Sequence, residues 1–251
     1  MRKRYSSCVL VYMHTIQEKD KRGGKNAKVK KNPFLNWDET AQYWFGYLAA
    51  DGNLSKTKYS INLLSIDHSH LSKFKDWVEP SLTLYNKKGS NCKVVTFGHF
   101  DTYQFLITKG ITPKKSLTLN LNTPITRHIL RGVFDGDGCY SSRCSPKITS
   151  GSLMFLRQLS EFLTQNGIDV TIKIQCIGIN TTYALYVKMK HRFELYKLLY
   201  DNSTIFLERK ELKLRSSLAK VKDKSDELQE RLKLQTCSQA TDTSVEGSTT
   251  T

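Results

Sequence analysis

The sequence lacks the patterns that mark several common classes of protein. Its six cysteines include no Cys-x-x-Cys pair and its histidines form no pair at ligand spacing, so a zinc site is not expected. No apolar run approaches the length of a membrane span. Neither a P-loop nor a dinucleotide-binding fingerprint is present. Because nothing resembles a secretory signal peptide, we expect reduced thiols and an intracellular setting.

Acidic residues are scarce relative to basic ones. The 251 residues include 23 Asp and Glu against 39 Lys and Arg, which gives a formal net charge of +16. This excess favours a polyanionic partner, either nucleic acid or, less often, an anionic membrane, and we favour nucleic acid. A basic protein with no such partner would have the same composition. Hydrophobic residues make up 39% of the chain, which is enough for a folded core.

The two ends of the chain differ in composition from its middle. Residues 1–36 are predicted to form a basic arm, since the first 32 carry ten Lys and Arg against two acids. Residues 216–251 are predicted to be helical and then disordered, because the last sixteen are almost all small and polar. Between them we predict two repeats, over residues 37–124 and 125–215.

The repeat is visible in two short segments, residues 43–52 and 129–138. In each, a glycine stands five residues before an aspartate that a second glycine follows: Gly46 precedes Asp51, and Gly132 precedes Asp137. Both copies continue with a serine and a helical pattern, and later with a lysine that follows a basic residue. Strand-like alternation of apolar and polar residues lies between these helices. Each copy is therefore predicted to have the order helix–strand–strand–helix–strand–strand–helix, an α+β unit with an antiparallel sheet.

Small residues and carboxylates occupy defined places on the two predicted motif helices. Gly46 and Ala50 are four residues apart, as are Gly132 and Gly136, so two such helices can approach closely. Asp51 and Asp137 then end the helices, where a carboxylate opposes the helix dipole. If the helices pair, the two carboxylates lie together and favour a divalent cation such as Mg²⁺. Such ions activate water and stabilise the leaving oxygen in phosphodiester hydrolysis.

The motif admits two other interpretations. Each Asp-Gly would be only a turn after a core helix if it occurred once, but it occurs twice with the same spacing. Residues 135–138 also resemble the start of a calcium loop. Cys139 and Tyr140 stand where that loop requires an oxygen ligand and a turn glycine, which excludes it.

At these residues the chain resembles a known family. Trp44 to Gly52 and Leu130 to Gly138 resemble the two motifs of single-chain LAGLIDADG homing endonucleases, and the second motif is the closer match. The resemblance covers about residues 38–214. It includes a Gly-Ile-x-Pro-x-Lys-Ser segment over residues 110–116 and a Leu-x-Arg-Lys segment over residues 207–210.

The resemblance implies a fold, a partner and a set of site residues. The fold would be a monomer of two pseudo-symmetric αββαββα repeats, packed through their motif helices, with saddle-shaped antiparallel sheets in the major groove of a long double-stranded DNA site. Asp51 and Asp137 would hold Mg²⁺, helped by the backbone carbonyls of Ala50 and Gly136. Lys115 and Lys210 would be the basic residues near the scissile phosphates, although a solvated surface charge is the alternative for each.

Base readout is expected from polar residues on the predicted strand faces. Those in the first copy are Lys56, Lys58 and Asn62; those in the second are Arg143, Ser145, Lys147, Thr171, Lys173, Gln175, Lys188 and Lys190. Many of these side chains would contact phosphate instead, and for any single residue a solvated strand face is an equal alternative.

One departure from the family leaves the function open. Only 12 residues separate Tyr103 from Lys115, against 27 from Tyr183 to Lys210, so the first copy is expected either to lack its last helix or to have a degenerate segment there. A trimmed copy favours a non-catalytic role: a maturase that binds intron RNA, or a DNA-binding regulator. The presence of both aspartates favours a site-specific endonuclease. For either function we expect a bacterial or phage cytoplasm or an organelle.

Overall fold

The computed structural model describes residues 29–141, 144–176 and 181–218. The predicted basic arm therefore lies outside the described residues up to residue 28, and the predicted tail lies outside them from residue 219. Val29 and Phe34, which the sequence analysis placed in the arm, are buried in the core. Phe34 stacks on Phe105 and meets the edge of Trp77, so the packed part of the chain already includes residues before 37.

Two consecutive units of the chain have the same order of helices and strands. The first unit contains α1 (Glu39–Asp51), β1 (Gly52–Leu54), β2 (Ser60–Ser65), α2 (His68–Val78), β3 (Leu84–Asn86), β4 (Lys93–Gly98) and α3 (Phe100–Thr108). The second contains α4 (Arg127–Asp137), β5 (Gly138–Ser141), β6 (Cys144–Ser150), α5 (Leu153–Gln165), β7 (Val170–Cys176), β8 (Thr182–Val187) and α6 (Arg192–Tyr200). A further helix, α7, is described over 208–218. The predicted α+β class with two αββαββα repeats is confirmed.

Each repeat contains one four-stranded antiparallel sheet. The strand order is β1-β2-β4-β3 in the first sheet and β5-β6-β8-β7 in the second, so the two sheets share one topology. Alternate residues of the strands point into the core, as Ile61 and Leu63 do on β2. The opposite face of each sheet is left to solvent, which is the arrangement that the period-two pattern predicts. No helix in the described residues is long and apolar enough to cross a membrane.

The expectation that the first repeat lacks its last helix is wrong. Helix α3 has nine residues, as many as α6. The sequence comparison matched Tyr103 to Tyr183, but Tyr103 lies inside α3 whereas Tyr183 lies on β8. The connection from α3 to Lys115 is therefore short, but the repeat is complete. Because α3 is present, the length of the first repeat no longer favours a non-catalytic role.

Helices α1 and α4 pack along their small residues and join the two repeats. A Cβ atom added to Gly46 would lie 2.1 Å from the carbonyl oxygen of Ile129 on α4. One added to Gly132 would lie 2.0 Å from the carbonyl oxygen of Tyr43 on α1. Both distances are far below van der Waals contact, so each glycine is required for the separation of the helices. The close approach predicted from the spacing of small residues is confirmed.

Substitution of either interface glycine is expected to destabilise the protein. Gly46→Ala and Gly132→Ala should lower the free energy of unfolding by about 1–3 kcal/mol or more, because rigid backbone must move to admit the methyl group. Gly98→Ala is the matched control, since the nearest atom to its added Cβ is 3.9 Å away. Urea denaturation of the three variants measures the difference. Equal stability of Gly132→Ala and Gly98→Ala would show that the helices are not held at this separation.

Candidate active site at the paired helix ends

Two aspartates close the paired helices. Asp51 is the last residue of α1 and Asp137 the last residue of α4, and a strand starts at the next residue in both cases. The glycines that follow them, Gly52 and Gly138, are extended, with φ of −72° and −68°. They are glycines because a Cβ would lie 2.5 Å and 2.3 Å from the carbonyl oxygen one helical turn back.

The two carboxylates are neighbours across the helix interface. The position that a Cβ on Gly136 would take is 3.5 Å from Oδ2 of Asp51 and 2.4 Å from the Cβ of Ala50. Gly136 directly precedes Asp137, so the helix ends meet with both acidic residues at the same place. Asp51 is exposed and Asp137 is partly buried. This confirms the proximity that the duplicated motif predicts.

A lysine stands beside each aspartate in the same relation. Lys115 donates from Nζ to the carbonyl oxygen of Ala50 at 2.7 Å. Lys210 donates to the carbonyl oxygen of Gly136, also at 2.7 Å, and to that of Phe134 at 3.1 Å. Lys115 is buried although it is a lysine, with 9% of its surface exposed. The site thus contains two copies of one arrangement: an aspartate, the carbonyl that precedes it, and a lysine on that carbonyl.

All four ionisable side chains of this site are shifted toward their neutral forms. Burial and, second to it, the negative charge of Asp51 raise the pKa of Asp137 to about 6. Although Asp51 as a whole is exposed, the protein atoms packed around its carboxyl group also raise its pKa by excluding water from that group. Burial lowers the pKa of Lys115 and of Lys210, although the nearby carboxylates partly oppose that shift. The folded protein therefore holds these charges at a cost in stability.

Ion pairs elsewhere in the chain behave in the opposite way. Hydrogen bonds from Lys190, Lys188 and His191 lower the pKa of Asp169. Similarly, the hydrogen bond and charge of Lys73 lower the pKa of Glu208. In those pairs the charged form is the favoured one, as is ordinary for a surface ion pair. By contrast, the surroundings of Asp51, Asp137 and their two lysines favour the neutral form of each side chain.

A buried carboxylate that the sequence analysis did not single out lies two residues before Asp137. Asp135 is 1% exposed and accepts hydrogen bonds from the hydroxyls of Tyr43 and Tyr200 and from the backbone N–H of Leu207. These partners come from the first motif helix, from α6 and from the segment that leads into α7. Because α7 carries Lys210 three residues after Leu207, Asp135 fixes the start of the element that positions that lysine. Burial raises the pKa of Asp135 to about 6.

The donors at the helix ends fit a hard divalent cation. Two carboxylates and the backbone carbonyls of Ala50 and Gly136 are all oxygen ligands, and no sulfur or imidazole is among them, so the set suits Mg²⁺ or Ca²⁺ better than zinc. The raised pKa values of both aspartates mark negative charge that a cation would offset. In the described residues no group of three or more His, Cys, Asp and Glu residues forms a closed cage. The remaining ligands would have to be water or substrate oxygens.

The structure separates the predicted base-reading residues into four groups. Those that lie on outward positions of the strands are Asn62, Ser145, Lys147, Thr171, Lys173 and Gln175. The prediction that Lys56 and Lys58 belong to a strand is wrong, because both lie in the turn before β2. Arg143 lies outside the described residues.

The extension of the last strand to residue 190 is also wrong. Strand β8 ends at Val187, and a short 3-10 helix covers Met189–His191. Lys188 and Lys190 instead form ion pairs with Asp169 at 3.2 Å and 3.1 Å. The acid at this edge of the sheet draws both lysines toward it, so the alternation of polar residues continues in the sequence but not in the strand.

The comparison with protein families matches the second half of the chain. Residues 125–203 fit the model of the LAGLIDADG-like domain, and this segment contains α4 with Asp137 at its end. The second repeat is therefore similar to the LAGLIDADG-like domain. The resemblance drawn from Leu130 to Gly138 is thereby confirmed. A search of curated protein sequences found no match to the chain.

Solved structures extend the LAGLIDADG fold to both repeats. The I-LtrWI LAGLIDADG homing endonuclease bound to target DNA superposes with a TM-score of 0.52 and 10% identity, over 74% of this chain and 92% of that one. The meganuclease I-AabMI bound to uncleaved DNA gives 0.50 and 15%, over 74% and 91%. I-DmoI in complex with DNA and Mn gives 0.51 and 12%, over 66% and 98%. At these identities the likeness establishes the fold, and nearly all of each relative is covered.

Proposed function

We propose that the chain is a site-specific DNA endonuclease that makes double-strand breaks in a long target site with the help of Mg²⁺. The observation that carries this proposal is the twofold arrangement at the helix ends, where each aspartate is accompanied by a backbone carbonyl and a lysine. A double-strand break requires the same reaction on two strands. A site that repeats its reactive groups once per strand, between two sheets of the same topology, meets that requirement.

The partner is proposed to be double-stranded DNA, bound by one copy of the chain. The net charge of +16 supplies attraction to phosphate, and two sheets with free outward faces supply surfaces for base contacts. Relatives with this fold were crystallised with DNA, including I-DmoI with DNA and Ca. Because both repeats are in one chain, the site is complete without a second copy. The intracellular location remains a prediction from the sequence.

The roles of the site residues follow from their chemistry. A divalent cation bound there would lower the pKa of bound water and neutralise charge on the phosphate. Asp51, Asp137 and the carbonyls of Ala50 and Gly136 would hold it. Lys115 and Lys210 place a positive charge where negative charge develops on the phosphate oxygens. In hydrolysis, a water oxygen forms a bond to phosphorus, one ester P–O bond breaks, and the departing oxygen takes up a proton.

The experiment that tests the function is cleavage of DNA by the purified full chain. A pool of long DNA duplexes is incubated with Mg²⁺ or with EDTA. The pool includes the sequence of the gene's own genomic site without the intron. We expect a defined sequence to be cut on both strands with Mg²⁺ only. Specific binding without cleavage would overturn the enzymatic proposal in favour of a regulator. Splicing of host intron RNA without DNA cleavage would support a maturase, which no feature of the described residues favours now that the first repeat is complete.

A further inference from the structure

The two sheets present chemically different faces to the partner. The outward face of the first sheet has no charged side chain among its strand residues, which are Asn53, Ser60, Asn62, Leu64, Tyr85, Val94, Thr96 and Gly98. The outward face of the second sheet includes two lysines and no acid among the described strand residues; its accessible residues include Cys139, Ser145, Lys147, Thr149, Thr171, Lys173, Gln175 and Tyr186. The repeats share a topology but not a surface.

On the second sheet the charged side chains form an ordered cluster around one ring. The ammonium groups of Lys147 and Lys173 lie 5.7 Å and 5.9 Å from the centroid of the Tyr186 ring. Lys147 is on β6 and Lys173 on β7, the two strands that flank β8. Gln175 accepts hydrogen bonds from Nζ of Lys147 at 3.2 Å and from the Tyr186 hydroxyl at 2.9 Å. These contacts hold the ammonium groups of Lys147 and Lys173 over the outward face of the sheet.

On the first sheet the central row is neutral and adjoins an apolar row. Asn62 pairs with Asn53 on one side and with Thr96 on the other, and Thr96 donates to Oδ1 of Asn62 at 2.7 Å. The next row on the same face joins Leu64, Val94 and Tyr85. The amide groups offer both donors and acceptors, while the apolar row offers methyl groups. Lys56 and Lys58 of this repeat stand in the turn before β2.

We propose that the two halves of the DNA target differ in composition, with guanine read by Lys147 and Lys173 opposite the second sheet and A·T pairs read without charge opposite the first. This inference rests on the proposed function. Guanine presents two acceptors, O6 and N7, in the major groove, and these suit ammonium donors. Adenine presents a donor and an acceptor that suit an asparagine amide, and the thymine methyl suits an apolar contact. The absence of charge on the first sheet favours A·T pairs, while its turn lysines reach the backbone.

Selection from a randomised duplex pool by the full chain, with Ca²⁺ in place of Mg²⁺, tests the inference. We expect an asymmetric consensus with guanine in one half and A·T pairs in the other. Lys147→Met and Lys173→Met should each relax the guanine preference by about tenfold, with the A·T half unchanged. Asn62→Ala should relax the A·T half alone. Lys197→Met on α6 removes the same charge outside both sheets and should leave both halves unchanged.

The outcomes separate this inference from the function on which it rests. Failure to enrich any sequence over an unselected pool would defeat site-specific DNA binding itself. An enriched site with equal composition in its two halves would overturn the inference and leave the function standing. So would a uniform loss of affinity for all sequences in Lys147→Met, with a log–log salt slope smaller by about 0.9, because that result would place the lysine on a phosphate.

Discussion

Asp51→Asn and Asp137→Asn are each expected to reduce Mg²⁺-dependent DNA cleavage by about a thousandfold or more. Each change removes a negative oxygen ligand at the helix ends and keeps the shape of the side chain. A thousandfold loss corresponds to about 4 kcal/mol of transition-state stabilisation, a size consistent with loss of a group that holds the catalytic ion. Single-turnover cleavage of the selected site measures the effect. Asp76→Asn, which removes an exposed carboxylate on α2, should cleave at the unmodified rate.

Binding of DNA by the two asparagine variants should survive. Loss of a negative charge beside the phosphates favours the complex, so affinity in EDTA is expected to equal or exceed that of the unmodified protein. Variants that neither cut nor bind would show that the aspartates support the fold rather than the chemistry. Cleavage near the normal rate by either variant would remove that aspartate from the site.

The same substitutions should raise thermal stability when no cation is bound. The pKa of Asp137 is raised from 3.8 to about 6, so its contribution favours folding below pH 3.8 and is lost as the pH rises through about 6. The melting temperature of Asp137→Asn in EDTA should therefore exceed that of the unmodified protein by a margin that grows between pH 4 and pH 7. A gain of 1 kcal/mol corresponds to about 2–4 °C in a chain of this size. Addition of Mg²⁺ should narrow the margin.

The sequence could predict the pairing of the motif helices because that pairing depends on local, repeated features. Gly46 and Gly132 stand at the same distance from the aspartates, and backbone contact at about 2 Å from a would-be Cβ admits no larger residue. Because no larger residue fits at this position, glycine occurs there in both copies. Once the helices pair, the positions of Asp51 and Asp137 follow from helix geometry, and the lysines follow from the repeat.

Features that depend on contacts distant in the sequence could not be predicted in this way. Asp135 accepts hydrogen bonds from groups in three other parts of the fold, and the residues next to it in the sequence do not indicate these partners. Its one visible signal is Arg131 four residues earlier, between the apolar residues Leu130 and Val133 of the same helix, which suggests a buried pair. In the structure, Arg131 instead meets Glu39 at 2.7 Å. A polar residue inside an apolar helix indicates a buried partner without identifying it.

The errors at strand ends have a common physical cause. Alternation of polar residues continues past Val187 and begins before Ser60, so a pattern of period two overestimates both strands. The strands end where backbone pairing is replaced by other contacts, as when Asp169 draws in Lys188 and Lys190. Equally, the missing helix of the first repeat was an artefact of matching two tyrosines that lie in different elements. Register in a repeat is set by pairing, which residue identity alone does not specify.

Lys115→Met and Lys210→Met are expected to lower the cleavage rate by about 10²–10³-fold while leaving metal binding intact. Loss of one preorganised donor at developing negative charge typically has an effect of this size. The affinity for Mn²⁺, measured by calorimetry without DNA, should stay equal or rise, because a positive charge beside the cation site has been removed. The aspartate variants should show the reverse pattern, with loss of Mn²⁺ binding and loss of cleavage together.

A structural alternative for the lysines makes a different prediction. Each ammonium group donates to a carbonyl in the last turn of a motif helix, at 2.7 Å, and such a contact also closes helix ends. If that were their whole role, the methionine variants would melt at lower temperature and lose cleavage only in proportion to the unfolded fraction. Because burial lowers the pKa of both lysines, the ammonium form is held at a cost, and we expect little loss of melting temperature. Lys197→Met provides the baseline for removal of a charge, and a methionine variant at either site that cuts as fast as this control would exclude that lysine from the reaction.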